Sequence, residues 1–232
     1  MSRSGAALAI IFILVLGSFG FFQSSYFRVR ELEIEGINML DAEEIRMMLA
    51  VRGDQHLYSF SLGEMKERLT ADPRIETAQV SRQLPNRLVV RVTERQPVAV
   101  IIQGGVFAVV DAGGRVISVE GEWPGVPLPV ISCAGAGALT LGERVDSAEV
   151  DELARCAELI GDLRHRISEI VLEEGHVILY TTEAVQVMFP LAPEDIRRAA
   201  SVLVDMLDEA DIDSSYTVDL RVPDRPVIRP LR

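Results

Sequence analysis

Basic residues are in short supply: 23 Lys+Arg stand against 35 Asp+Glu, a formal net charge of -12, and Lys66 is the sole lysine. That balance excludes a protein whose main work is neutralising phosphates, because such a surface needs clustered Lys and Arg. Histidine is scarce too, and His56, His165 and His176 have no companion Cys or His at metal-ligand spacing. There is no G-x-S-x-G elbow, no Walker-type loop and no H-E-x-x-H. Neither a reaction nor a cofactor can therefore be assigned. Of the two cysteines, Cys156 falls on the apolar stripe Val150, Leu153, Cys156, Ile160, Leu163 of an expected helix, as a small buried hydrophobe would. A Cys133–Cys156 disulfide stays open, since nothing in the spacing demands it.

What is present is apolar material, 48% of 232 residues, enough for one or two packed domains. The acidic charge is unevenly spread. Arg28 to Val100 carry 11 basic and 12 acidic residues, whereas Ile101 to Arg232 carry 11 and 23, which implies two differently charged units. Partners of the second unit are expected to bring Arg or Lys at the rim, with association slowing as salt rises.

Ala6 to Phe22 contain no charge and one weakly polar residue, Ser18. A helix of that length spans about 26 Å, just enough to cross a bilayer. A core helix would show a polar face, and this stretch has none. A cleaved signal peptide is the alternative, with Ser18-Phe19-Gly20 at a suitable spacing, although Phe19, Phe21 and Phe22 crowd the cleavage site. The adopted reading is an anchor over residues 6–26 after a short tail, 1–5. Charge does not orient it, because Arg3 on one side faces Arg28 and Arg30 on the other.

From Phe27 to Arg95 the pattern reads strand, helix, helix, strand, strand. Leu32 and Ile34 alternate with Glu31, Glu33 and Glu35 and run into Gly36. Asp41 with Glu44, and Ser61 with Glu64, look like capping boxes, stapled by Leu40/Ile45 and Phe60/Met65. Helices are expected over Ala42–Val51 and Leu62–Ala71, the second stopped by Asp72-Pro73. Strands Ile75–Arg82 and Leu88–Glu94 flank a Leu84-Pro85-Asn86-Arg87 turn, with Leu88, Val90 and Val92 on one face. The result is a small α+β unit, a three-stranded sheet covered on one face by two helices.

From Gln96 onward, strands are expected at Val98–Ile102, Val106–Val110, Arg115–Val119 and Val130-Ile131, with hairpins at Gly104-Gly105 and Gly113-Gly114. Asp146 with Glu149 opens a helix to Leu163, and Pro193 begins another running to Ala210. Further strands fall at Ile167–Leu172, His176–Thr181, Val185–Phe189, Tyr216–Val222 and Val227–Arg229, the last between Pro226 and Pro230. Ala134-Gly135-Ala136-Gly137-Ala138 reads as a flexible loop, since no strand and helix frame it as a phosphate cradle. Glu173-Glu174 and Asp208-Glu209-Asp211-Asp213 read as solvated faces.

Several of these residues carry a resemblance. Asp72-Pro73-Arg74-Ile75, Arg82-Gln83-Leu84-Pro85-Asn86 and Val90-Arg91-Val92-Thr93-Glu94-Arg95-Gln96-Pro97-Val98-Ala99 resemble a POTRA domain of the bacterial FtsQ/DivIB cell-division family. Val109-Val110-Asp111-Ala112, Leu128-Pro129 and Thr217-Val218-Asp219-Leu220-Arg221 resemble that family's second domain. The resemblance implies a POTRA domain over 27–95 and a mixed β domain with two helices over 96–232. It also implies a non-enzymatic scaffold of the inner membrane, with its N-terminus cytoplasmic, its domains periplasmic and its place at the septum. FtsB-like and FtsL-like bitopic partners, together with other divisome components, are implied at the β domain, and midcell targeting at the POTRA domain. The partner-binding edge carried over is Val227, Ile228 and Arg229, with Val222 beside it. The family's longer basic tail has no counterpart in Met1 to Gly5. Two rival readings are a POTRA protein of outer-membrane assembly or secretion, which would need a C-terminal barrel, and an exported enzyme with a cleaved signal.

Overall fold

The computed structural model describes residues 3–51, 55–133, 135–209 and 214–230. Among them are five α-helices and twelve strands, in two compact units, Met1–Glu94 and Arg95–Arg232.

Arg3–Phe22 form α1, and its described side chains, Leu8 and Ile10 through Phe22, are exposed. Among the described residues no helix is long and apolar enough to cross a membrane. A helix over Arg3–Phe22, and not a span over residues 6–26, is therefore what the fold establishes.

The first unit continues with β1 (Glu31–Glu35), α2 (Ala42–Leu49), α3 (Leu62–Thr70), β2 (Ile75–Gln83) and β3 (Arg87–Glu94). β3 is the central strand, parallel to β1 and antiparallel to β2. Leu88, Val90 and Val92 face Ile45, Leu49, Met65 and Leu69 of the helices, so that one sheet face is covered. Gly36 ends β1 at φ +82°, where a Cβ would stand 2.1 Å from the Val92 carbonyl oxygen; only glycine allows both the turn and that approach.

Capping departs from expectation at α2. Asp41 accepts from the Glu43 backbone N–H at 3.2 Å, but Glu44 does not close a box, because its carboxylate meets Arg74 Nη1 at 3.2 Å. Ser61 does cap α3, accepting from the Glu64 N–H at 3.3 Å.

The last residue of β3 holds this unit's entry loop. Glu94, 3% exposed, accepts from the backbone N–H groups of Asn38 (2.9 Å), Met39 (2.8 Å) and Leu40 (2.8 Å). Burial pushes its pKa up, yet those three N–H groups and the Arg74 charge outweigh burial and hold it below the usual carboxylate range. Arg74 is itself fixed by Asp72, through Nε (3.0 Å) and Nη2 (2.8 Å).

In the second unit β4 (Pro97–Gln103), β5 (Val106–Asp111), β6 (Val116–Glu120), β7 (Val130–Ser132), β8 (Ile167–Glu173), β9 (His176–Thr181), β10 (Gln186–Phe189), β11 (Tyr216–Asp219) and β12 (Val227–Pro230) make one mixed sheet, ordered β12-β11-β10-β9-β8-β7-β4-β5-β6. Gly104 and Gly105, at φ +59° and +82°, form the two-residue hairpin between β4 and β5. Helices α4 (Ala148–Leu159) and α5 (Pro193–Glu209) cover one face. Val150, Leu153 and Cys156 of α4, and Ile196, Ala199 and Leu203 of α5, pack with Ile131, Ile170, Leu179, Phe189 and Val218 of the sheet. The other face bears a small cluster, Val100, Val109 and Leu128.

Three boundaries differ from the sequence pattern. Ser147, not Asp146, caps α4, accepting from the Val150 N–H; with the cap one residue later, Glu149 falls outside the box position. That helix stops at Leu159, and Gly161–Arg166 continue as a 3₁₀ helix after the left-handed Gly161. β11 ends at Asp219, because the Asp219 carboxylate turns back onto Arg221 and bends the chain before Val222.

Asp111 matches Glu94 in kind. It accepts from Gly113 N–H (2.9 Å), Arg115 N–H (2.8 Å) and Arg95 Nη1 (2.7 Å), which closes the β5–β6 turn. Both cysteines are free thiols; Cys156 is fully buried, and burial pushes its pKa up to about 12. Ala134, Asp211 and Asp213 lie outside the described residues, while Asp208 pairs with Arg166 at 2.6 Å.

Removing the charge at Glu94 tests the role of its carboxylate. Glu94→Gln is expected to cost about 1–3 kcal/mol, since one oxygen stops accepting. Its folded pKa is depressed, so the stabilisation is present above the unfolded carboxylate pKa and lost as pH falls through the lower folded value. Hydrogen exchange at the Asn38, Met39 and Leu40 amides should quicken in the variant at neutral pH and in the native protein only in acid. Equal protection in both proteins at neutral pH would refute this account.

Candidate functional site

The residues singled out by resemblance, Val222, Val227, Ile228 and Arg229, come together at one end of the nine-stranded sheet. β11 is held inward by its parallel pairing to β10, Gln186↔Thr217 through Met188↔Asp219, and by Leu220 N–H donating to Met188 O at 2.8 Å. Val218 and Leu220 are fully buried, so the register of β11 is fixed by the core. β12 then returns antiparallel, with Val218↔Ile228, Thr217↔Arg229 and Asp219↔Val227 opposed. Among the described residues its outer side has no neighbouring strand, and all four of its residues are exposed. Val222 lies in the bend before it, 58% exposed, with Val227 at 40% and Ile228 at 46%.

Charge organises the bend. Asp219 accepts from Arg221 Nε (3.0 Å), Nη2 (2.7 Å) and backbone N–H (3.2 Å). The Arg221 bond holds its carboxyl below the usual range despite burial, helped by the charges of Arg221 and of Arg229 at 4.0 Å. Beside it a concavity of about 500 Å³ is lined by Asp219, Arg221, Val222, Arg225 and Val227. Asp224 is drawn off to Arg198. The edge is thus locally basic, within a unit that is acidic on average. The expectation that partners bring Arg or Lys does not apply at this edge, because the net charge belongs to other surfaces and is screened over about 10 Å.

The three histidines stand apart. His56 Nε2 meets Phe22 O (2.8 Å), His165 Nδ1 meets Pro127 O (2.9 Å), and His176 Nε2 accepts from Arg221 Nη1 (3.5 Å). Among the described residues no cluster of His, Cys, Asp and Glu is placed to hold a metal.

The carboxylates that matter structurally, Glu94 and Asp111, lie within the stretches that carry the resemblance, and one had a further signal. Glu94 continues the series Leu88, Val90, Val92 at period two, and an acid in core phase announces buried partners.

Comparison with known proteins bears on the whole chain. Residues 27–95 match the POTRA domain, FtsQ-type, and residues 99–221 match the model of the cell division protein FtsQ/DivIB C-terminal region. The chain belongs to the FtsQ/DivIB cell-division family. Its relatives include FtsQ of Geotalea daltonii, 26% identical over 89% of this chain and 77% of that protein, and FtsQ of Streptomyces griseus, 38% identical over 45% and 51%. DivIB of Staphylococcus aureus is 23% identical over 69% of this chain but 36% of its own length. The chain thus spans about half or less of the latter two relatives. A solved structure, the major extracytoplasmic domain of DivIB from Geobacillus stearothermophilus, overlays 51% of this chain and 90% of its own at 21% identity and a TM-score of 0.33, too loosely to place residues. The family is one of cell division, and membership disfavours the outer-membrane assembly reading. The matched region stops at Arg221, so Val222 and β12 lie beyond it.

The Asp219–Arg221 turn yields its own test. Asp219→Ala should change global stability by less than about 1 kcal/mol, as partly exposed pairs do. Amide exchange across residues 220–230 should nevertheless rise clearly. Unchanged local exchange would show that the ion pair does not set the path into β12.

Proposed function

We propose that the chain is a single-pass scaffold of the bacterial division machinery, non-enzymatic, with residues 1–5 in the cytoplasm and 6–26 in the inner membrane. Residues 27–95 (POTRA) and 96–232 (β domain) then lie in the periplasm, at the septum. Family membership supports the division role. The uncharged stretch Ala6 to Phe22, helical and with its described side chains turned outward, supports the anchor.

The observation that carries the binding reading is the open side of β12. A partner strand added there would gain main-chain hydrogen bonds for affinity and alternate side-chain contacts for specificity. Pro230 has no N–H and is tolerated where that N–H would face solvent. Since backbone groups alternate along an antiparallel strand, Ile228 then presents its N–H and C=O outward. Val222 and Val227 offer apolar contact beside it, and Arg225 and Arg229 favour acidic residues flanking the added strand. FtsB-like and FtsL-like bitopic proteins are the partners this reading names.

Ile228→Pro removes the outward donor without shortening the chain. Recovery of an FtsB-like partner in pull-down from membranes should fall more than about tenfold, the change expected when a central edge hydrogen bond and its neighbours are lost. The Trp123 emission and the circular dichroism of the variant should stay native. Undiminished recovery with a native fold would end the edge-strand reading.

A further inference from the structure

Aromatic rings gather where α1 ends. Phe21 and Phe22 close the helix, and Tyr26 and Phe27 lie in the 3₁₀ turn Ser25–Phe27 that follows. His56 and Tyr58 come from the stretch between α2 and α3 that carries the 3₁₀ turn Leu57–Ser59. These segments meet on Phe27. Its ring centre lies 5.3 Å from that of Phe21, 5.4 Å from Phe22 and 5.5 Å from Tyr26, and 6.3 Å and 6.4 Å from those of His56 and Tyr58. Phe27 is buried, whereas Phe21, Phe22, Tyr26 and Tyr58 around it are exposed.

Polar groups along this stretch are satisfied from within. Phe19 O accepts from Gln23 N–H and Phe21 O from Ser24 N–H, both at 3.1 Å, and the Ser18 hydroxyl donates to Val15 O at 3.0 Å. Phe22 O, at the helix end, is taken by His56. His56 Nδ1 accepts from the Tyr58 backbone N–H (3.3 Å), so the ring's hydrogen sits on Nε2, which donates to Phe22 O (2.8 Å). His56 is thereby a positioning residue that ties the last turn of α1 to the POTRA unit. Tyr58 is held from the POTRA side by Arg82, whose Cζ lies 5.5 Å from the ring centre while its Nε donates to Leu57 O (2.9 Å).

We infer that this ring cluster seats the POTRA unit on the bilayer surface, with Tyr26 and Tyr58 in the interfacial layer and phospholipid as the partner. The inference rests on the anchor reading above. With Ala6 to Phe22 across the membrane, Phe21 and Phe22 stand at the end of the hydrocarbon layer. Tyr58 comes to the same level, because the shared contact with Phe27 leaves it nowhere else to be. Tyrosine suits that layer, its ring in apolar surroundings and its hydroxyl in water. Carbonyls and a hydroxyl bonded internally are what a region poor in water demands. The His56 bond adds a consequence: the POTRA unit meets the bilayer in one orientation and does not swivel on α1.

The test places the full chain in phosphatidylcholine vesicles, with Trp123→Phe silencing the one native tryptophan and a single probe, Tyr58→Trp or Phe12→Trp, added. Emission of the Tyr58→Trp probe is expected to fall about twofold with lipids spin-labelled at the headgroup and little with lipids brominated deep in the acyl chain. The Phe12→Trp probe should show the reverse order. His56→Ala should remove at least about half of the headgroup quenching from the first probe and none from the second, while His56→Gln, which keeps a donor and an acceptor, should retain it. Headgroup quenching indifferent to His56→Ala would refute the fixed orientation. A Tyr58→Trp probe unquenched at the headgroup beside a deeply quenched Phe12→Trp probe would overturn the seat and leave the anchor standing. Two unquenched probes would sink both. An unquenched Tyr58→Trp emission that shifts instead with protein concentration in detergent would assign the rings to a second copy of the chain and overturn the inference as well.

Discussion

Glu94 is a carboxylate withdrawn from water at the end of a strand whose other inward residues are Leu88, Val90 and Val92. An ionised group there is costly unless its oxygens are filled, and three backbone N–H groups of the loop entering α2 fill them. The same contact thereby fixes where α2 begins relative to β3. Arg74 adds its charge to Glu94 and at the same time joins Asp72, at the end of α3, to Glu44 in α2. Both helices and the central strand are thus referred to one pair of ionic groups. The following residue, Arg95, does the equivalent in the second unit through Asp111. The division between units falls at the peptide bond between two side chains that are each committed to a different core.

That arrangement gives the charged residues of the family motif a structural role. Glu94, Arg95, Asp72 and Arg74 all belong to the resemblance that marks the family, and their charge goes to backbone amides, to each other or to Glu44 and Asp111. Outward-facing ion pairs, such as Arg87 with Glu31 and Glu33 across β1 and β3, have little to contribute to stability beyond covering the sheet's second face. Charge placement in this chain is mostly a matter of where loops are pinned.

Much of the fold was legible because alternation and capping are local. The two-residue glycine hairpin, the Ser61 cap, the Pro193 start of α5 and the succession of helices and strands along the chain all follow from nearby residues. What failed did so where a side-chain partner, distant or near, outbid the local pattern. Glu44 had the spacing of a capping box but lay within reach of Arg74, thirty residues away. Asp219 had the pattern of a strand interior but was closer to its own i+2 arginine than the strand's continuation required. The edge strand illustrates the other limit. Val227 to Arg229 read as a short strand from sequence, but its lying outermost is a property of sheet order, which no periodicity in the segment encodes. Pro226 and Pro230 mark the segment as near an edge, and its role as a partner-binding edge came from resemblance.

The two ends of the nine-stranded sheet are treated differently, and the difference is physical. At β6 the chain closes its own edge: Val116 N–H donates to Glu143 O and Val116 O accepts from Gly142 N–H, both at 2.9 Å. The start of the strand is thus covered by the loop that leads to α4. At β12 nothing of the kind occurs among the described residues, yet the edge is not left as an indiscriminate template. It is four residues long, preceded by Pro226, ended by Pro230 and marked by Arg229, each of which discourages pairing with a long or unmatched strand. On the binding reading proposed above, an edge guarded by length, proline and charge, lying beside β11, whose register is locked through Val218 and Leu220, would admit only a strand short enough to fit between the prolines and of complementary charge. Selectivity at such a site comes less from what β12 offers than from what its flanks refuse.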